Sequence, residues 1–253
     1  MKAIALALSL LGASVAVAPS PPPAHPVGAY PFAVGEEFEY SAKLGVLRLG
    51  TARMAVTGID TVRGVESFVF VFGLDASAPF YKTSSVLTSW TGTSDMISRR
   101  FYQDLDENGK PKQRKFEIYP DSTWIQMTHG DTGSTVPDPL DDAAFFYFLR
   151  TIPLEKGQTY KYNRYFRKDL NPVVIKVEKR EEMELPDGKK VQCLVLSPAV
   201  GSDGLFAPRA EAKLWLTDDE RRIPVQIKSK LPFGSVTLRL ISMKLPDGTT
   251  AGN

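Results

Sequence analysis

Hydrophobic and polar residues alternate along most of the chain from residue 32 onward, the pattern of β-strands with one buried face. In residues 37–44 the apolar positions are Phe38, Tyr40, Ala42 and Leu44, and the positions between them are charged or carry a hydroxyl. The same period, interrupted by turn residues, predicts strands at 37–44, 46–56, 65–74, 84–91, 96–105, 112–119, 123–128, 160–166, 173–184, 190–196, 211–216, 225–231 and 235–244.

The segment 65–74 breaks the alternation because both of its faces are apolar. It contains Phe68, Phe70 and Phe72 with valines between them. A strand that is apolar on both faces lies in the middle of a structure, with a layer on each side. The aromatic face of this strand either belongs to the core or lines a cavity.

One segment, residues 139–151, has the pattern of a helix. Asp138 is a suitable N-cap and Pro139 suits the first helical position. The aromatic residues that follow cover nearly every direction around the axis, so the helix must be buried on several sides. We therefore expect a mainly β protein, with a single strongly curved antiparallel sheet (a half-barrel or open barrel) and this apolar helix packed in its concave face. The helix either completes the core or acts as a plug over an apolar cavity.

The first 31 residues differ from the rest of the chain. Residues 1–18 have the charged start, apolar run and small residues of a signal peptide, with cleavage after Ala16 or Ala18. Residues 19–31 contain six prolines and predict an extended spacer. We expect a single β-rich domain at 32–246, a disordered tail at 247–253, and a periplasmic or secreted location. No later apolar run is long enough to predict a transmembrane segment in the mature chain.

Composition adds little that is specific. The chain has 253 residues, 43% hydrophobic and 24% charged, which are globular values. Its 31 basic and 29 acidic residues give a formal charge of +2, which offers no reason to expect nucleic acid or an anionic membrane surface as a partner. The charge-rich segment Lys110 to Lys115 is ordinarily a solvated sheet face, and a basic rim that attracts an anionic head group is the alternative.

Candidate chemistry is sparse. The single cysteine, Cys193, lies in an apolar strand and is interpreted as a small buried hydrophobe, with a reactive thiol as the alternative. The histidines, His25 and His129, lie in the spacer and at a turn, and no nucleophile elbow accompanies them. No metal or cofactor motif predicts a bound group. Glu117 and Glu211 are candidates for a two-carboxylate hydrolase, but each is equally consistent with a solvent-facing strand residue.

Several segments, taken in order, resemble the bacterial exported family called domain of unknown function 3108. They span about residues 30–245 and comprise Tyr30–Phe32, Gly35–Tyr40, Leu44–Val46, Gly50–Ala52, Pro139–Asp142, Gly157–Tyr160, Ala212–Asp219 and Arg222–Val225. The resemblance brings no established activity. It implies a fold similar to the curved half-barrel sheets of periplasmic lipoprotein carriers, and a shared fold does not fix a function.

These observations favour a non-enzymatic binding protein for an apolar or amphipathic ligand, such as a lipid, an acyl chain or a lipoprotein. Apolar pockets with few polar groups are the usual form of such sites. The expected lining residues are Phe68, Phe70, Phe72, Phe145, Phe146, Phe148 and Trp215. The alternatives are an envelope interaction or assembly module that pairs a sheet edge with a protein partner, and the two-carboxylate hydrolase.

Overall fold

The structure is a computed structural model that describes residues 30–79, 81–201, 208, 211–231 and 234–252. These residues form fifteen strands, one α-helix (α1, Asp142–Thr151) and a 3-10 helix (Lys168–Leu170). The strands are β1 (Glu37–Leu44), β2 (Leu47–Val62), β3 (Val65–Ala78), β4 (Tyr81–Gly92), β5 (Ser98–Glu107), β6 (Lys110–Tyr119), β7 (Thr123–Gln126), β8 (Thr132–Ser134), β9 (Thr159–Tyr162), β10 (Val173–Glu184), β11 (Lys190–Ala199), β12 (Lys213–Thr217), β13 (Pro224–Leu231), β14 (Gly234–Lys244) and β15 (Thr250–Gly252).

All the strands belong to one antiparallel sheet, in the order β8-β7-β6-β5-β4-β3-β2-β1-β14-β13-β12-β11-β10-β9, with β15 paired to β14 beside this path. The pairing register shifts at several places, for example between Val56 and Gly58 on β2 and between Val177 and Lys179 on β10. Extra residues of this kind increase the local twist and bend a sheet. The sheet is therefore strongly curved without closing into a barrel, and α1 lies on its concave side, as expected.

The two ends of the curved sheet meet at an irregular contact, here called the seam, formed by residues 138–140 and 163–166. The backbone N–H of Leu140 donates to the carbonyl of Arg164 at 2.5 Å, and that of Phe166 donates to the carbonyl of Leu140 at 2.9 Å. The Phe166 ring lies 5.3 Å from that of Phe116 on β6. The seam thus joins the end of the sheet that carries β9 to the end that carries β5 to β7.

The seam explains two of the boundaries that were predicted wrongly. The helix begins at Asp142 rather than 139, and its N-cap is Asp141 rather than Asp138. The carbonyl of Pro139 accepts a hydrogen bond from the backbone N–H of Ser98 on β5, which holds this part of the chain extended. Similarly, the strand predicted at 160–166 ends at Tyr162 because the following residues turn into the seam.

The two chain ends have different outcomes. Residues 247–253 are not a disordered tail throughout, because Thr250–Gly252 form β15 and pair with Ser242–Lys244. The signal peptide expected at 1–18 and residues 19–29 of the proline-rich spacer lie outside the described residues. No helix within the described ranges is both long and apolar enough to cross a bilayer.

Candidate functional site

The strand register identifies the face that the helix covers. Residues directly opposite each other on neighbouring strands point to the same side of a sheet. One such row runs through Gly50, Ala42, Leu238, Ile227 and Leu214, on five successive strands. Phe38 lies four residues before Ala42 on β1, so the two side chains point to the same face. The Phe38 ring lies 5.5 Å from the guanidinium of Arg150 near the C-terminus of the helix. This row therefore belongs to the concave face.

The N-terminus of α1 is fixed by a buried carboxylate. Asp141 accepts hydrogen bonds at 2.9 Å from the backbone N–H groups of Ala143 and Ala144, as an N-cap does. The Ser89 hydroxyl on β4 donates to its second oxygen at 2.6 Å. Burial raises the pKa of Asp141 to about 6, although these hydrogen bonds act to lower it. The arrangement anchors the helix to β4.

The C-terminus of α1 is fixed by a buried ion pair. The Arg150 guanidinium donates to both carboxylate oxygens of Glu36, at 2.5 and 2.9 Å. It also donates to the backbone carbonyls of Pro31 and Arg221, at 2.8 and 3.0 Å. The helix end is therefore joined to the segment before β1 and to the loop between β12 and β13.

Between these anchors, aromatic rings fill the space under the helix. Phe70 stacks on Tyr147 with ring centroids 3.9 Å apart, and Phe72 stacks on Phe146 at 5.1 Å. Six of the seven predicted lining residues lie here, at most 6% exposed: Phe68, Phe70, Phe72, Phe145, Phe146 and Phe148. The structure brings these six side chains together as packed neighbours around α1.

Two further aromatic residues close one end of this cluster. Tyr30 stacks on Phe32 at 5.2 Å, and the Phe32 ring meets Phe68 and Phe70 edge-on at 5.7 and 5.6 Å. In the sequence alone, both residues stand out only as part of the family-like motif Tyr30–Phe32. Aromatic residues on either side of Pro31, directly before the first alternating strand, were the signal that could have assigned them to the cluster.

Trp215 does not join the six phenylalanines. It lies on β12 between Leu214 and Leu216, so it points to the opposite side from Leu214. Its direct partners on the neighbouring strands are Val195 and Gln226. The prediction that Trp215 lines the concave face is therefore wrong, because β12 is apolar on both faces and its sequence alone does not tell the two apart.

Part of the concave face lies beyond the helix, toward the upper rim, which we define as the hairpin turns joining β1 to β2, β3 to β4 and β5 to β6. One row here runs through Leu74, Ser85, Leu105 and Lys112, and the next through Phe72, Leu87, Gln103 and Arg114. We call the five residues that combine apolar surface with positive charge the open patch. They are Leu74, Leu87, Leu105, Lys112 and Arg114.

The open patch is accessible and carries unneutralised charge. Its three leucines are half-buried, Lys112 is exposed and Arg114 is half-buried. The Arg114 guanidinium donates to the neutral amide of Gln103 at 3.3 Å. No ion pair involves Lys112 or Arg114 within the described ranges. Apolar side chains beside cations that form no ion pair suit a ligand with an apolar body and an anionic group.

The two candidate carboxylates are held apart. Glu117 on β6 forms ion pairs with Arg63 and Arg100, the latter at 2.5 Å. Glu211, just before β12, pairs with Lys230 at 2.9 Å. Seven strands separate β6 from β12 in the sheet order. The structure thus does not bring the two acids to a common site.

The remaining candidates are a histidine and a cysteine. His129 is exposed in the turn after β7. Cys193 is buried in β11, and burial raises the pKa of its thiol to about 12. The described residues contain no cluster of three or more His, Cys, Asp or Glu side chains that could hold a metal ion.

Comparison with known proteins agrees with this architecture. Residues 39–241 match a family described as "Protein of unknown function (DUF3108)". The fold is similar to that of a β-barrel-like protein of domain of unknown function DUF1849 from Brucella abortus, with a TM-score of 0.56 and 11% identity, over 85% of this chain and 99% of that chain. The hypothetical protein CT021 from Chlamydia trachomatis aligns over 85% of this chain and 91% of its own, with 9% identity, but its TM-score of 0.26 is too low to bear on the fold. No curated protein matches the sequence.

Proposed function

We propose that this chain, which belongs to the DUF3108 family of proteins of unknown function, is an exported, non-enzymatic protein that binds an anionic amphipathic ligand such as a fatty acid or an acidic lipid. The open patch is the observation that supports this proposal. Leu74, Leu87 and Leu105 offer apolar surface, and Lys112 and Arg114 stand beside them on the same face.

The dimensions of the patch suit an acyl chain that lies across the strands. Leu74 on β3 and Lys112 on β6 are separated by three strand spacings, or about 14 Å. The apolar chain lies over the leucines and its acidic group reaches the two cations. Phe72 and Phe146 border the patch on the side of the helix. The other four phenylalanines of the aromatic cluster stabilise this border from the interior.

The packing of the aromatic cluster supports this placement over a deeper one. A ligand in direct contact with Phe70 would have to separate it from Tyr147, since the two rings are 3.9 Å apart. Aromatic pairs contribute about 0.5–1.5 kcal/mol beyond the burial of their surface. The open patch needs no such separation, because its apolar side chains are already partly exposed.

Export is the part of the proposal that comes from the sequence. Residues 1–18 have the pattern of a signal peptide, and we propose that the mature protein acts in the periplasm or outside the cell. An apolar ligand that crosses an aqueous compartment requires a protein surface that shields it from water.

The two alternative functions gain less support. A module that adds a partner strand to a sheet edge needs a long free edge, and the edge strands β8 and β9 have three and four residues. A two-carboxylate hydrolase needs two acids beside one bond, and Glu117 and Glu211 are in separate ion pairs on distant strands.

Titration of the purified protein with palmitate, followed by native mass spectrometry and calorimetry, tests the proposal. Leu87→Asp places a negative charge in the open patch, and Val86→Asp places the same charge on the neighbouring residue of the opposite face. Lys112→Glu and Lys115→Glu form a second matched pair, since Lys115 alternates with Arg114 and points away from the patch.

We expect palmitate to bind the unaltered protein and the two open-patch variants to bind it at least about tenfold more weakly, because each loses apolar or ionic contact with the ligand. The affinity of the two control variants for palmitate should stay within about twofold of that of the unaltered protein. Thermal melting of all four variants separates a loss of binding from a loss of fold. An unaltered protein that binds no palmitate, or controls that weaken binding as much as the patch variants, would overturn the proposal.

A further inference from the structure

A row of cations crosses the convex face next to the upper rim. The row crosses five neighbouring strands, and each member is directly opposite the next. Its members are Arg48 on β2, Lys43 on β1, Thr237 on β14, Lys228 on β13 and Lys213 on β12. Four of these five neighbouring positions are therefore basic, over about 19 Å. We call this row the basic row.

The basic row lies on the side opposite the helix. Lys43 follows Ala42 along β1, and Lys228 follows Ile227 along β13, and both of these apolar neighbours belong to the concave row. Successive strand residues point to opposite faces, so the row and the open patch share the upper-rim end of the molecule but not the same face.

Most of the charge on the row is not neutralised. Lys213 donates to Glu178 at 2.8 Å. Arg48, Lys43 and Lys228 are exposed, and no ion pair involves them within the part of the chain that the structure describes. Like charges directly opposite each other destabilise a sheet. The row therefore lowers the stability of the fold, which is consistent with a role in binding.

Exposed apolar side chains adjoin the row at the turn between β1 and β2. Val46 is fully exposed (102%) and Leu47 is 50% exposed. Lys43 and Arg48, two members of the basic row, stand on either side of this turn. A hairpin tip with apolar residues at its end and cations at its base matches the layering of a bilayer surface, where the apolar region lies beneath anionic head groups.

We infer that the hairpin tip and the basic row form a docking surface for an anionic lipid bilayer. Val46 and Leu47 insert among the lipid chains, while Arg48, Lys43 and Lys228 contact the head groups. Cations near such a surface are attracted to the anionic head groups, and the attraction falls with rising salt. The overall charge of +2 does not reveal this surface, because that value sums the charges of the whole chain and not those of one face.

Vesicle flotation with the processed protein, its N-terminus verified by mass spectrometry, tests the inference. The vesicles contain phosphatidylcholine alone or phosphatidylcholine with about 30% phosphatidylglycerol. We expect binding to the anionic vesicles only, and we expect it to weaken at least about fivefold when NaCl is raised from about 0.05 to about 0.5 M.

Two matched pairs of variants assign the binding to this surface. Lys43→Glu combined with Lys228→Glu should weaken binding at least about tenfold, whereas Lys168→Glu combined with Lys189→Glu makes the same change in net charge at exposed positions outside the row. Binding of this control variant to anionic vesicles should stay within about twofold of that of the unaltered protein.

The second pair tests the apolar tip. Val46→Glu should weaken binding to anionic vesicles at least about fivefold, because the head groups repel a carboxylate and its burial among the lipid chains requires its removal from water. Ile59→Glu changes another exposed residue of β2 (51% exposed), roughly 40 Å from the tip, and should have little effect.

The docking surface and the proposed ligand site fail separately. An unaltered protein that does not float with anionic vesicles, or control variants that lose binding as much as the row and tip variants, would overturn the docking surface. Palmitate binding in solution is measured without vesicles and does not depend on this result.

Discussion

The carboxylate of Glu36 and the guanidinium of Arg150 form a two-point ion pair at 2.5 and 2.9 Å between side chains that are 1% and 0% exposed. The two residues are 114 positions apart in the chain. Removing two charges from water costs several kcal/mol per ion, and close geometry with further hydrogen bonds offsets this cost. Such a pair contributes little net stability while it is intact. Removing only one of its two charges lowers the free energy of unfolding strongly, because the other charge stays buried without a partner.

The first prediction follows from this asymmetry. Arg150→Met should lower the free energy of unfolding by about 3–5 kcal/mol, because it leaves the Glu36 carboxylate buried without a partner. Glu36→Leu combined with Arg150→Met should lower it less than the single change does. Urea unfolding of both variants measures the difference. A double variant less stable than the single one would contradict this account.

A second prediction concerns pH. The pKa of Asp141 is raised from 3.8 to about 6 by burial, so the folded state holds this proton more tightly than the unfolded state. Asp141 therefore contributes to the free energy of unfolding at low pH. This contribution, at most about 3 kcal/mol, is lost as pH rises from about 4 to about 6.

Asp141→Asn keeps the size of the side chain and the ability to cap the helix, but it does not titrate. Urea unfolding of both proteins at several pH values should therefore give a stability difference that changes between about pH 4 and pH 6 and is constant above that range. Parallel curves for the two proteins would show that burial does not perturb this carboxyl.

A third prediction concerns the aromatic cluster. Phe146 is 4% exposed and stacks on Phe72, so Phe146→Ala should lower the free energy of unfolding by about 3–5 kcal/mol through lost burial and a cavity. Val86→Ala, at a position 39% exposed on the opposite face of β4, should cost under about 0.5 kcal/mol. Equal costs for the two changes would mean that the helix is not packed against β3.

The fourth prediction concerns Cys193. Its side chain is buried and the pKa of its thiol is raised to about 12, so almost no thiolate is available near neutral pH. A thiol reagent such as dithionitrobenzoate should not label the native protein and should label it fully in guanidinium. Rapid labelling of the folded protein would instead support the reactive-thiol interpretation.

Much of the fold follows from local pattern. The two-residue period in segments such as 37–44 and 235–244 predicts strands, and the all-round apolar surface of residues 145–149 predicts a helix enclosed by the sheet. The exact start of α1 does not follow, because Asp138 and Asp141 are equally suitable caps by residue type. A contact with β5, distant in sequence, holds Pro139 in extended conformation and so selects Asp141.

The candidate site could be predicted only in part, because it depends on register. Phe72 and Phe146 lie in segments whose aromatic pattern marks them in the sequence. Leu105 and Lys112 become neighbours only when β5 and β6 pair. The basic row is still less visible, since Lys43 and Lys228 lie in distant strands with one strand between them. A formal charge summed over the chain hides such a grouping.

The fastening of α1 at both ends constrains how the molecule moves. Release of the helix from the sheet would break the Asp141 cap, the Arg150 pair and the seam at Leu140 together, so it requires nearly complete unfolding. Amide hydrogens of residues 145–149 should therefore exchange with deuterium as slowly as those of the central strands. A ligand that lies over the open patch would therefore bind beside a helix that stays in place.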